Sequence, residues 1–184
     1  EVIRTRRGEL SVRVDSWVRL AEARRSFPDK WHGITDVDVR YRQRYVDLWV
    51  SDGARETFVA RSRIFSATRR WLEERGFLEV ETPVFHPNQV EPQARPCSPH
   101  HNALDLELYL RIAPELYLKR LTVGGFERVF EIARVFRNEG ISTRHNPEFT
   151  MLEFYQAWAT YEDLMDLTET LIVGLVDRIH GARQ

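Results

Sequence analysis

The strictest alternation of apolar and polar positions lies at Leu104, Leu106, Leu108, Leu110 and Ile112, set between Asp105, Glu107, Tyr109 and Arg111. A period of two predicts a strand with one buried and one polar face, here the clearest strand in the chain. The same period runs through residues 8–20, where Leu10, Val12 and Val14 oppose Ser11, Arg13 and Asp15. It recurs in residues 77–85, where Leu78, Val80 and Val84 oppose Glu79, Glu81 and Pro83. Pro83 has no amide to donate to a ladder, so it belongs at an edge, a bulge or a subunit boundary. Two longer runs, 126–139 and about 148–158, flank the polar segment 140–146 and read as a long antiparallel hairpin.

Helical periods fill the intervals. Between residues 56 and 75, Phe58, Phe65 and Leu72 recur at seven-residue steps with Ile64 and Trp71 beside them, and Gly76 stops the helix. Pro114 stands where a short helix would begin, Glu115 falls in its first turn, and Gly124–Gly125 ends it after about two and a half turns. Thr160 with Asp163 has the spacing of a capping box, followed by an apolar stripe of Leu164, Leu167, Leu171 and Leu175. After a linker at 27–33, residues 36–48 read as a charged helix in which Arg40, Arg42 and Arg44 interleave with Tyr41 and Tyr45. Such a face is ordinarily solvated or ion-paired, so RNA binding is not placed there. Residues 86–102, with four prolines and neither period, predict a loop of functional length.

Composition narrows the class. The 184 residues suffice for one domain with its own core and part of a second. A net charge of −1 gives the whole chain no electrostatic footprint for nucleic acid, so any RNA contact must be local. Cys97 is the single cysteine, which excludes an internal disulfide and leaves the six histidines without thiolate partners for a structural zinc. No run of about 18 apolar residues appears and the first residues are charged, so membrane insertion and secretion are not expected. The expected location is the cytoplasm. The chain starts at Glu1 in what reads as a strand, which suggests a cut through a domain.

The chemistry concentrates on the predicted hairpin. Phe149, Met151, Glu153 and Tyr155 share one strand face, as do Glu131, Ala133, Val135 and Arg137 on the neighbour. A face that mixes rings, carboxylates and a guanidinium suits a ligand-binding floor. It suits equally a buried ion pair between Arg137 and Glu153, and spacing alone fits both.

Beyond the pattern, Phe136-Arg137-Asn138-Glu139, a loop, and His145-Asn146-Pro147-Glu148-Phe149 resemble motif 2 of the class II aminoacyl-tRNA synthetases. Residues 110–120, LRIAPELYLKR, and 144–157, RHNPEFTMLEFYQA, resemble the lysine enzymes in particular. Residues 76–83, GFLEVETP, with the helix before them, resemble motif 1, and residues 1–26 resemble the end of the anticodon-binding OB fold. The resemblance implies an α+β fold: an antiparallel sheet flanked by helices, incomplete, preceded by an OB-barrel remnant. Its domains would be 1–26, a linker and helix at 27–50, and the N-terminal part of a catalytic domain at 51–184.

The same resemblance implies roles. Arg137 would bridge the ATP α-phosphate and the lysine carboxylate, Phe149 would stack on adenine, Glu139 would accept from its amino group, and Arg144 and His145 would approach the outer phosphates. Glu115 would meet the lysine α-amino group, with Glu153 and Tyr155 deeper toward the side chain. Arg61, Phe65 and Pro83 would lie at a homodimer interface. ATP, lysine and tRNA(Lys) are the implied partners, magnesium the implied counter-ion, and no metal ligand is expected in this chain. The family's third motif has no counterpart, and Val90-Glu91-Pro92-Gln93 stand where the lysine enzymes carry Gly-Gly-Ala. A lysine–tRNA ligase is therefore expected of the intact protein, with weak or no activity in this chain alone. A non-catalytic dimerisation module and a paralogue that lysylates a protein are the alternatives.

Overall fold

A computed structural model of the protein describes residues 1–26, 33–89, 95–140, 142 and 144–181. The expected linker, apart from Gly33, and the unusual loop at Val90–Gln93 lie outside them. The chain is mixed α+β and divides into two compact units, Glu1–Thr57 and Phe58–Gln184.

In the first unit, β1 (Val2–Arg4) pairs antiparallel with β2 (Leu10–Val12), with Ile3 opposite Ser11. Gly8, at φ +85°, permits the tight return between them. The strand expected over 8–20 is thus three residues long, and its apolar face is turned outward, with Leu10, Val12 and Val14 64–72 % exposed. A two-stranded ribbon has no second layer against which to bury them. The charged helix is two helices, α1 (Val37–Arg42) and α2 (Arg44–Val50), broken at Gln43. Its arginines are occupied: Arg40 Nε (2.9 Å), Arg44 and the Ser51 hydroxyl (2.7 Å) all donate to the buried carboxylate of Asp47. The Ser51 hydrogen bond and then the two guanidiniums hold the Asp47 carboxyl below its usual range despite burial.

The second unit is organised by α3 (Ala54–Glu73), which starts within the first unit, and by a long hairpin. Gly76, at φ +78°, ends the helical turn, and β3 (Leu78–Glu79) then runs parallel to the hairpin's first strand. Next come β4 (Phe85–His86), β5 (His100–His101), β6 (Leu106–Glu107), β7 (Tyr109–Leu110) and α4 (Glu115–Val123). The hairpin of β8 (Arg128–Phe136) and β9 (Glu148–Gln156) is antiparallel, as expected, and α5 (Tyr161–His180) closes the unit. Thr160 and Asp163 form the anticipated capping box at its start.

Three expectations differ from the structure here. Residues 77–85 form not one strand but β3 and the start of β4, which join different sheets. The clearest predicted strand, 104–112, is also divided: β6 pairs with β5 around a turn in which Asp105 adopts φ +48°, while β7 pairs with β4. Its apolar face is not uniformly buried, since Leu104 and Leu106 are 68 % and 41 % exposed, whereas Arg111 from the polar face is only 5 % exposed. A change of partner partway along the segment removes the common surface that alternation presupposes. His100 and His101, expected in a loop, belong to β5.

The core lies on one face of the hairpin, where Phe130, Ile132, Leu152 and Phe154 meet Trp71, Leu72 and Phe77 on one side and Leu167, Leu171 and Leu175 of α5 on the other. Phe77 meets Phe154 edge to face at 5.9 Å. Gly174 of α5 lies against Trp71 of α3, where an added Cβ would stand in van der Waals contact with the indole, 3.4 Å from its nitrogen. The opposite face of the hairpin is left for other work.

Leu72 is fully buried and Met165 of α5 is 65 % exposed. Leu72→Ala should cost about 2–5 kcal/mol, and Met165→Ala should stay within about 0.5 kcal/mol, as measured by urea unfolding.

Candidate functional site

On the second face, antiparallel register sets Val129 opposite Tyr155, Glu131 opposite Glu153, Ala133 opposite Met151 and Val135 opposite Phe149. The grouping expected from alternation is therefore present. The two strands differ in cover: Val129, Glu131, Ala133 and Val135 are buried, while Phe149, Met151, Glu153 and Tyr155 are half-buried and accessible. Along β9, Phe149 and Glu153 are about 13 Å apart at the usual rise per residue, so the face has two ends.

At the first end lies a cavity of about 460 Å³ lined by Arg137, Glu139, Gly140, Ser142, Arg144, His145, Asn146 and Phe149. All five residues tied to ATP by resemblance are among them. Arg137 follows β8 directly, its amide donates to the Pro147 carbonyl at 2.8 Å, and its guanidinium carbon stands 5.4 Å from the Phe149 ring centroid. Nε and Nη2 make long bonds of 3.4 Å to the Ile112 carbonyl. The guanidinium thus has its main chain anchored and lies within cation–π range of the Phe149 ring. Ser142 completes this end without having been singled out in the sequence. Ser142 Oγ accepts from the amides of Arg144 and His145, both at 3.2 Å, and lies 2.8 Å from His145 Nδ1. This hydroxyl orders the turn that carries the basic pair, and the Ser-x-x-His spacing was its only trace in the sequence.

At the second end, Glu115 in the first turn of α4 bonds Lys119 one turn on. The Lys119 ammonium lies 6.0 Å from the Tyr155 ring centroid, and the Tyr155 hydroxyl donates to Glu153 at 2.8 Å. The Glu115 hydrogen bond and charge, then the Glu153 charge, push the Lys119 ammonium above its ordinary range. The three residues expected near the substrate's amino groups thus surround a cation belonging to the chain itself. Lys119 was legible only as a helical i, i+4 partner of Glu115.

The buried Arg–Glu pair that the sequence allowed for exists between different residues. Arg111 Nη1 bonds Glu131 Oε1 at 2.6 Å, and both are about 95 % buried. Arg137 instead turns to Ile112 and Phe149. Of the predicted interface residues, Arg61 lies over the Phe65 ring at 4.4 Å on an exposed stretch of α3, and Pro83 is exposed between β3 and β4. Three residues on, His86 is buried, donates to the Pro83 carbonyl at 3.2 Å and faces Tyr117 of α4, their ring centroids 5.0 Å apart. Burial lowers its pKa from the ordinary 6.5. Among the described residues, no three His, Cys, Asp or Glu side chains gather to hold a metal ion, and no helix is long and apolar enough to cross a membrane.

The guanidinium and ring at one end of this hairpin face and the carboxylate and phenol at the other are among the residues that carried the resemblance to the class II synthetases. The family model of the class II tRNA synthetases (D, K and N) matches residues 36–184, and the chain belongs to that family. Curated relatives are similar over nearly all of it. A lysine–tRNA ligase of Carboxydothermus hydrogenoformans is 61 % identical over 180 residues, which is 98 % of this chain and 37 % of that protein. Lysine–tRNA ligases of Prochlorococcus marinus and Xanthomonas oryzae are each 60 % identical, over 97 % and 98 % of this chain and 36 % of their own length. The chain therefore spans little more than a third of the curated relatives it matches.

Because His86 is held neutral in the fold, its contribution to stability is complete above about pH 6.5 and is lost as pH falls through 6.5 toward its depressed folded value. Urea midpoints at pH 7.5 and 5 should differ less in His86→Gln than in the parent; an equal difference would assign the pH response to other groups.

Proposed function

We propose that this chain carries the ATP- and lysine-binding floor of a lysine–tRNA ligase. The observation that supports it best is the gathering of Arg137, Glu139, Arg144, His145 and Phe149 around one cavity, with Glu115, Glu153 and Tyr155 at the other end of the same sheet face. Phe149 stacks on adenine and Glu139 accepts from its amino group. Arg144 and His145 meet the outer phosphates. Arg137 spans the α-phosphate and the amino-acid carboxylate, because a planar fork can bind two oxyanions at once and a lysine could not.

Glu115 receives the substrate's α-ammonium, and Glu153 with Tyr155 receives the side-chain ammonium. Carboxylates desolvated by the bound substrate reject a neutral isostere, which would leave them uncompensated. The amino-acid carboxylate attacks the α-phosphate in line and pyrophosphate leaves, so no protein base is needed and the residues act by positioning and charge stabilisation. Magnesium is the expected phosphate counter-ion in this chemistry. The described residues form no cluster for it, and no step assigned here passes through it.

In this reading the acceptor is tRNA(Lys), residues 1–26 are the end of an OB-fold anticodon domain, 27–50 a connection, and 51–184 part of a catalytic domain that works in the cytoplasm. Arg61, Phe65 and Pro83 lie at the interface of a homodimer. The exposure of three large apolar residues of α3, Phe58 at 42 %, Val59 at 43 % and Ile64 at 41 %, supports a partner for this helix.

Calorimetry of the chain with ATP should give a saturable signal that Arg137→Ala abolishes. Residues 1–184, set in place of the matching segment of a 61 %-identical relative, should support lysine-dependent ATP–pyrophosphate exchange. A chimera silent with lysine, while the parent relative is active, would refute the reading. In sedimentation, Phe65→Glu should shift a dimer toward monomer.

A further inference from the structure

We propose that Arg111 is a positioning residue of this site: it sets the Ile112 carbonyl that holds Arg137 and cancels the Glu131 charge that lies opposite Glu153. The inference deepens the lysine-ligase reading and rests on it.

Arg111 is bonded through both its side chain and its main chain. Nε donates to the Arg134 carbonyl at 2.8 Å, and Nη1 donates to the Thr82 carbonyl at 2.9 Å, Thr82 Oγ1 at 3.0 Å and Glu131 Oε1 at 2.6 Å. Thr82 Oγ1 in turn donates to Glu131 Oε2 at 2.6 Å, so both oxygens of the buried carboxylate are held. The main chain is equally fixed: the Arg111 amide donates to the Val84 carbonyl and its carbonyl accepts from the Phe136 amide, both at 2.9 Å. Three segments therefore meet at one residue: the stretch beside Pro83, the end of β8, and the approach to α4 with Glu115.

The consequence at the ATP end follows from chain continuity. Ile112, the next residue, presents the carbonyl that both Nε and Nη2 of Arg137 contact. A fork is required, since a lysine ammonium at Glu131 could not also supply the separate Nε–H that reaches Arg134. Loss of that bond frees the segment by a fraction of an ångström at the carbonyl that steers Arg137, and misplacement on that scale is costly to reactions that depend on positioning.

The consequence at the amino-acid end is electrostatic. Directly opposite residues of an antiparallel pair bring their Cβ atoms within about 5 Å, and Glu131 and Glu153 form such a pair. Two carboxylates there would repel, and one would take up a proton. With Arg111 on Glu131 the inner charge is cancelled, and a cation approaching β9 meets the charge of Glu153. The residue thus separates a structural carboxylate from a recognising one.

The test uses the chimera described above, with active sites titrated so that constants refer to folded protein. Glu131→Gln keeps the shape and leaves the Arg111 charge uncompensated below Glu153; it should raise the KM for lysine about tenfold, with kcat and the KM for ATP within about twofold. Arg111→Lys should lower kcat about tenfold to a hundredfold with a smaller change in the KM for lysine. A purely structural Arg111 would lower the melting temperature and the titratable sites of both variants while leaving kcat and KM per site unchanged, and that result would overturn the proposal. If Arg111→Lys does not fold, the KM split in Glu131→Gln decides alone. A wild-type chimera without lysine-dependent exchange would bring down the functional reading and this inference together, whereas an active wild type with unchanged variants overturns the role of Arg111 only.

Discussion

A guanidinium and a carboxylate removed from water must satisfy one another and their remaining hydrogen-bonding groups, or the desolvation cost exceeds the attraction between them. Arg111 and Glu131 meet that condition only because Thr82 and the Arg134 carbonyl stand where they do. The pair therefore constrains the placement of the segment before Pro83, of β8 and of the approach to α4 at once. An apolar pair of the same volume could fill the space but could not fix their relative register, because dispersion is nondirectional and hydrogen bonds are not.

Around that constraint the hairpin divides its labour by face. One side of β8 and β9 carries the contact with α3 and α5 through Phe130, Ile132, Leu152 and Phe154, while Arg128 and Arg134 on the same side are exposed. The other side buries Val129, Ala133 and Val135 and, beside them, bears Glu131, Glu153 and Tyr155 at a cost limited by local pairing. In this way a single sheet joins an apolar contact layer to a face that bears polar groups. The stacking of Arg137 on Phe149 and the Ser142-ordered turn extend the floor past the strand ends.

Sequence reading succeeded where the determining interactions are near in the chain. The long hairpin, the nine-residue α4 between Pro114 and Gly124, and the Thr160–Asp163 capping box depend on local turns and caps, and each appears as expected. It failed at 104–112, where alternation was strict but the partner strand changes between Glu107 and Tyr109. It failed also for the ribbon of β1 and β2, whose apolar residues alternate correctly yet have no layer to bury them. Alternation reports which residues share a face, and only the surroundings decide whether that face is inside.

Strand periodicity and motif spacing, which are properties of the chain alone, were enough for family membership, the order of most elements, and which side chains share each hairpin face. Tertiary structure decided which arginine pairs with which glutamate, and it placed Lys119 beside both Glu153 and Tyr155. Those outcomes depend on contacts between segments 20 or more residues apart: Arg111 reaches back to Thr82 and forward to Glu131 and Arg134. No local period encodes them, since a polar position on a strand reads the same whether water or a buried carboxylate lies beyond it.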